Sequence, residues 1–227
     1  MASLKSKIAS FLYEAGVSAN ALTILGLASA GLSGFLIYKG YFFWGALALL
    51  LSGGLDLVDG AVARMSAQRK PFGGILDSSL DRYGDGLVLG GAVFFCASYE
   101  RTLYAALAFS ALVGSFLISY VRARAECEIE NCRVGFWERG ERTGCLVVGL
   151  LADNLALALW ILGIATHFTA LFRLWVAGKS GEWGPAPAGW RGPIRNILFH
   201  TQGRANPYYY GKAGLIFLAL LFLRIPL

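Results

Sequence analysis

The chain has 227 residues, of which 56% are hydrophobic and 15% charged, with a net charge of +6 and a mean hydropathy of +0.57. That balance excludes an ordinary soluble domain and a disordered chain, and predicts an all-α polytopic membrane protein. No nucleic-acid-binding module accompanies the positive charge, so nucleic acid is not an expected partner and the cations belong with membrane lipids and phosphate-bearing substrates.

Residues 1–16 lack the apolar run and small-residue cleavage site of a secretory signal. Leu4, Ile8, Phe11 and Leu12 share one side of a short helix, with Lys5 and Lys7 elsewhere, the pattern of an interfacial amphipathic helix. A six-helix membrane domain is expected over 17–177. Its spans fall near 20–38, 42–64, 80–98, 102–121, 143–152 and 154–176, judged against the ~20 apolar residues that a crossing helix needs. The fifth is short and has to borrow from Glu141–Thr143. A C-terminal extension occupies 178–227. Its first part, 178–207, is rich in Gly, Pro, Trp and Arg and reads as extramembrane. Residues 208–227 have the length of a span, but Lys212, Arg224 and Pro226 interrupt them. A membrane-associated or dimer-contacting helix is therefore expected there rather than a seventh crossing.

Six spans divide the cations unevenly. One face receives Lys5, Lys7, Arg64, Arg69, Lys70, Arg82, Arg122, Arg124, Arg133, Arg139, Arg142, Arg173, Lys179, Arg191, Arg195, Arg204 and Lys212, while the other receives Lys39 and Arg101. The positive-inside rule makes the crowded face cytoplasmic, which predicts a multi-pass protein of the cytoplasmic membrane with its N-terminus inside. Cys96 and Cys145 lie in apolar runs. Cys127 and Cys132 flank a polar loop with neither His167 nor His200 near in sequence, so neither a zinc site nor a disulfide scaffold is expected.

Carboxylates within membrane segments are costly, yet Asp56, Asp59, Asp77, Asp81 and Asp85 crowd one stretch. Asp56, Asp59, Gly60, Ala63 and Arg64 form one stripe on a helix that turns about 100° per residue. Gly73, Asp77 and Asp81 form a second stripe after a turn containing Pro71, so the two can face each other across a helical hairpin. Asp56, Asp59, Asp77 and Asp81 converging at two helix ends would repel one another unless cations intervene. An all-oxygen set of this kind suits Mg²⁺ or Mn²⁺, and two such ions can clamp a diphosphate. Gly60 and Gly73 leave room for a nucleotide to approach the backbone, and Arg64 offers a planar donor fork to phosphate oxygens. Mutual neutralisation by Arg64, Lys70 and Arg82 would account for one or two carboxylates but not for the shared face.

The run Asp56-x-x-Asp59-Gly60-x-x-Ala63-Arg64, followed at matching intervals by Gly73, Asp77 and Asp81, resembles the complete motif of the CDP-alcohol phosphatidyltransferase family. The resemblance extends from Ser18 to Trp175. It implies transfer of a phosphatidyl-type group from a CDP-linked lipid donor to a hydroxyl, with release of CMP. It also implies metal ligation by Asp56, Asp59, Asp77 and Asp81, and CDP binding by Asp56, Asp59, Gly60, Ala63, Arg64, Gly73 and Asp77. Asp81 has a further implied role as the base for the acceptor hydroxyl. A metal-bound carboxylate is a poor base, so Asp81 as a ligand alone stands beside that role. Ser18-Ala19-Asn20-Ala21-Leu22-Thr23 is similar to the family's Thr-Pro-Asn-x-x-Thr at the first span, with only Asn20 and Thr23 kept.

A second polar cluster holds Arg122, Arg139 and Arg142, expected on the same face as the aspartates and suited to an acceptor that carries its own phosphate. Juxtamembrane arginines can also serve topology and lipid headgroups alone, but Glu138 and Glu141 beside them argue for fixed arginine geometry. The S-Y-x-R-A-R-A-E and E-R-x-E-R segments are similar to the branch of the family that makes phosphatidylinositol phosphate or archaetidylinositol phosphate. That branch implies inositol phosphate as acceptor and CDP-diacylglycerol or CDP-archaeol as donor. Glycerol phosphate as acceptor and CDP-inositol as donor are alternatives within the family. A non-catalytic metal- or lipid-binding membrane protein is the alternative outside it, and such a protein would not need all four aspartates. A homodimer is expected.

Overall fold

The computed structural model describes residues 4–65, 71–129, 132, 134–183, 207–223 and 225. Among them every regular element is an α-helix. The helices form two units, Met1–Glu100 and Arg101–Leu227.

The first unit contains α1 (Leu4–Glu14), α2 (Ala19–Tyr38), α3 (Phe42–Met65) and α4 (Pro71–Ser98). Ser18 caps α2, its side chain accepting from the Ala21 N–H at 3.2 Å. α2 packs against both α3 and α4. Between helices bathed in acyl chains there is no hydrophobic driving force, so small residues and hydroxyl groups supply the adhesion. Ser29 donates to the Ala48 carbonyl at 2.7 Å, Ser33 to Gly45 at 2.8 Å, and Ser52 of α3 returns a bond to Gly26 at 2.9 Å. Partner numbers fall on α3 as they rise on α2, so the pair is antiparallel. α2 and α4 instead run parallel and cross at Gly34 and Gly91. A Cβ on Gly34 would run into the Leu87 carbonyl, and one on Gly91 into the Gly34 backbone. Ile24, Leu25, Leu32 and Phe35 of α2, with Phe43, Trp44, Leu50 and Leu51 of α3, point outward and are exposed. α1 lies against α3, burying Ala9 with Leu22, Ala61 and Val62 while Phe11 is 70% exposed.

The second unit contains α5 (Thr102–Ala125), α6 (Arg139–Leu151), α7 (Leu155–Trp183) and α8 (Pro207–Phe222). α5 and α7 run parallel: Ser110 Oγ donates to the Gly163 carbonyl at 2.9 Å, His167 Nε2 to Ser110 at 3.0 Å, and Arg173 Nη1 to Ile118 at 2.8 Å. α6 must therefore carry the chain back between them. The connection before α6 folds inward, with Cys132 and Val134 buried beside Ala125 against Phe172, Val176 and Ala177. Gly135 makes this possible, with φ +93 and no room for a Cβ beside Thr169.

Among the described residues four helices are long and apolar enough to cross a membrane: Ala19–Tyr38, Phe42–Met65, Thr102–Ala125 and Leu155–Lys179. The chain is an integral membrane protein. α4 has 28 residues but carries Asp77, Asp81, Arg82 and Asp85, while α6 and α8 have 13 and 16. The span expected at 80–98 is the latter part of a helix that begins at Pro71, a residue suited to a first helical position. α6 starts at Arg139, ahead of the expected 143. α7 runs to Trp183, into the segment expected to be extramembrane; 184–206 lie outside the described residues, as do 66–70 with Arg69 and Lys70, and Arg133, Arg224 and Pro226.

The Gly34–Gly91 crossing predicts that Gly91→Ala lowers stability by about 1–3 kcal/mol, read as a lower Tm of the detergent-solubilised protein. Gly90→Ala, where a Cβ meets nothing within 4 Å, should leave Tm unchanged.

Candidate active site

Helical periodicity puts Asp56 and Asp59 one turn apart on α3, and the packing of the first unit brings Asp77 of α4 to meet them. One carboxylate oxygen from each of the three lies within 4.8 Å of the others. Asp59 is only 4% exposed, and its Oδ2 accepts a hydrogen bond from Thr23 Oγ1 at 2.9 Å. The same hydroxyl lies 3.0 Å from the Ala19 carbonyl, which ties Asp59 to the first turn of α2. A Cβ built on Gly73 would sit 3.6 Å from Asn20 Oδ1. Asn20 and Thr23 thus bring the first turns of α2 against the opening of α4 and the last turns of α3, respectively.

Three carboxylates at this separation, one of them buried, form a concentration of negative charge and oxygen donors that a hard divalent cation neutralises. Asp56, Asp59 and Asp77 therefore fit Mg²⁺ or Mn²⁺. Asp81 is one turn further along the same face of α4 and lies outside this group of three. Arg64 is exposed, and its guanidinium passes Gly60, with Nη1 3.7 Å from where a Gly60 Cβ would be. Ala63 is half-buried beside it. Arg82 turns back along α4 and donates to the Ser78 carbonyl.

The second unit holds the arginine cluster. Arg122 pairs with Glu126 at 3.0 Å and Glu138 at 3.9 Å. Arg142 is buried and donates to the Trp137 carbonyl at 3.0 Å. Arg139 opens α6 one turn before Arg142. The sequence reading counted Arg173 only for topology, yet it belongs to this cluster. It is 2% exposed, donates to the Val134 and Ile118 carbonyls at 2.8 Å each, and lies 4.0 Å from Glu138. The signal was present, since an arginine inside an apolar run of a spanning helix demands partners. Glu138 sits between Arg122 and Arg173, the fixed geometry expected of it. Burial pushes the Cys132 thiol up from its ordinary value.

The CDP-alcohol phosphatidyltransferase family matches residues 17–174. This chain belongs to that family. A phosphatidylinositol phosphate synthase of Mycobacteroides abscessus is 31% identical over 182 residues, covering 76% of this chain and 83% of that protein. An archaetidylinositol phosphate synthase of Pyrococcus horikoshii is 31% identical over 184 residues, covering 78% and 93%. Among solved structures, Mycobacterium tuberculosis phosphatidylinositol phosphate synthase in complex with manganese and citrate matches with a TM-score of 0.73 and 28% identity, covering 86% of this chain and 100% of that one. The same enzyme with CDP-DAG bound matches with a TM-score of 0.71 and 30% identity, covering 78% and 94%. This CDP-alcohol phosphatidyltransferase is thus a divalent-metal-dependent enzyme.

Asp59→Asn or Asp77→Asn should abolish both transfer and Mn²⁺ binding without unfolding the protein. Thr23→Val, which removes the hydroxyl that bonds Asp59 and the Ala19 carbonyl, should weaken Mn²⁺ by about 10–100-fold, measured by paramagnetic resonance titration.

Proposed function

We propose that this enzyme transfers a phosphatidyl-type group from CDP-diacylglycerol or CDP-archaeol to a hydroxyl of inositol phosphate, releasing CMP, in phospholipid biosynthesis. The observation that carries the reading is the meeting of the three motif carboxylates, Asp56, Asp59 and Asp77, at one point on two helices. The choice of inositol phosphate is supported by relatives named for phosphatidylinositol phosphate and archaetidylinositol phosphate synthesis, and by an arginine cluster, with Arg142 buried and Arg122 ion-paired, suited to a phosphate.

In this mechanism the aspartates hold two Mg²⁺ or Mn²⁺ ions, which when bound offset the charge of the donor diphosphate. Arg64 adds hydrogen bonds to its phosphate oxygens, and Gly60, Ala63 and Gly73 leave the helix surfaces low enough for the cytidine nucleotide to lie against them. The acceptor oxygen attacks the phosphorus that bears the lipid alcohol. The bond from that phosphorus to the oxygen bridging to CMP breaks, and CMP leaves with that oxygen. The acceptor's proton passes to Asp81 or to solvent. Arg122, Arg139 and Arg142 hold the acceptor's phosphate through charge-assisted hydrogen bonds.

The same reading takes residues 1–16, which contain α1, as an interfacial segment and 17–177 as the catalytic membrane domain. α4 and α6 join the four long apolar helices to make six spans, and 178–227 forms an extension. It places the enzyme in the cytoplasmic membrane, its site facing the cytoplasm, as a homodimer among membrane lipids. Support comes from the charge asymmetry of the sequence and from the outward apolar side chains of α2 and α3.

Purified enzyme supplied with Mn²⁺ and CDP-diacylglycerol should release CMP with inositol phosphate and not with inositol, glycerol phosphate or serine. Equal turnover with inositol would overturn the acceptor, and no turnover with any acceptor would favour a non-catalytic binding protein. Arg139→Ala should raise the KM for inositol phosphate by about tenfold or more, from the loss of about 1.5–3 kcal/mol, with little change in the donor KM. Asp81→Asn should lower kcat; an unchanged kcat would remove it as base.

A further inference from the structure

The C-terminal helix is fastened at one end. Asn154, in the turn between α6 and α7, is 1% exposed. Its Nδ2 donates to the Leu220 carbonyl at 3.0 Å and also to the Leu223 carbonyl, and its Oδ1 accepts from the Ile225 N–H at 3.4 Å. Carbonyls at a helix end have no partner within the helix. One amide side chain therefore closes the end of α8, beside a fully buried Leu220.

The depth of Asn154 follows from the parallel pair α5 and α7. Their bonded residues are separated by 53, 57 and 55 positions. The same offset puts Asn154 just ahead of the first residue of α5. α5 has 24 residues, about 36 Å of helix, and is long and apolar enough to cross. The connection that carries Glu138 lies at its opposite end, where Arg122 and Arg173 meet it. Asn154 and the arginine cluster thus mark the two ends of a full crossing.

From Asn154, α8 packs along α6, with 16 residues against 13. Both fall short of an average span of ~20 residues, yet α6, about 20 Å long, returns the chain between two parallel helices together with the inward-folding connection before it. Tyr208, Tyr209, Tyr210 and Lys212 occupy the first two turns of α8, residue types that favour a membrane–water boundary. Leu215, Leu218, Leu221 and Phe222 are exposed and apolar, a surface for acyl chains. Lys212, which argued against a crossing in the sequence, stands at the boundary end, while Arg224 and Pro226 come after the helix stops.

We infer that α8 crosses the bilayer as an additional span, locked at its far end by Asn154, with the C-terminus on the face opposite the arginine cluster. This replaces the expectation of a membrane-associated or dimer-contacting helix. Cys127 is exposed next to Glu126 and marks the arginine face. In full-length protein with one cysteine added after Leu227, a membrane-impermeant maleimide applied to one side of sealed, uniformly oriented vesicles should label Cys127 or the new cysteine, never both. Labelling of both from the same side overturns the crossing. Asn154→Asp keeps the side-chain shape and removes both donated bonds. It should put part of the new cysteine on the Cys127 side; an orientation identical to the parent's would overturn the role of Asn154. Neither outcome depends on the acceptor.

Discussion

Three carboxylates held within 4.8 Å of one another in a protein whose outer surface faces acyl chains set the constraint on which the first unit depends. Like charges at that distance in a poorly solvated place repel strongly, so the arrangement persists only with compensation. A divalent cation is the main compensation. The bond from Thr23 to Asp59 is the local one, and it is available only because α2 is drawn tightly against α3. The serine bonds along that interface and the close passage of α2 over α4 at Gly34 and Gly91 are thus part of the site's support, although they lie well away from it in sequence.

The second unit solves the opposite problem. Arg122, Arg142 and Arg173 concentrate positive charge where burial is costly. Each is held by carbonyls of the surrounding backbone or by Glu126 and Glu138. Arg173 ties α7 to α5 and to the inward fold at Val134, so the arginine cluster and the packing of the unit share the same bonds. A positive cluster assembled in this way is preorganised, because folding has already met the cost of gathering the charges.

How much of this was legible beforehand depended on the range of the interactions involved. The stripe of Asp56, Asp59, Gly60 and Arg64 follows from helical periodicity alone, as does that of Gly73, Asp77 and Asp81. Membrane residence follows from composition, and family membership from the spacing of the motif. Arg173 escaped notice as a site residue because its partners, Ile118 and Val134, are dozens of positions away. The attachment of the tail was not legible because the bonds from Asn154 to Leu220 and Leu223 join positions 66 and 69 apart.

The sequence by itself determined the helices, their apolar faces and the chemical types gathered in each motif, because those are set by neighbours within a turn or two. Only the tertiary structure decided which carboxylates meet. Asp77 joins Asp56 and Asp59, while Asp81, equally well placed on its own stripe, stands about 6 Å further along the axis. It likewise decided that Thr23 serves Asp59 and that Asn154 receives the end of α8. Those pairings depend on the parallel or antiparallel sense and the sliding register of packed helices, which small residues and side-chain hydrogen bonds fix across long stretches of chain.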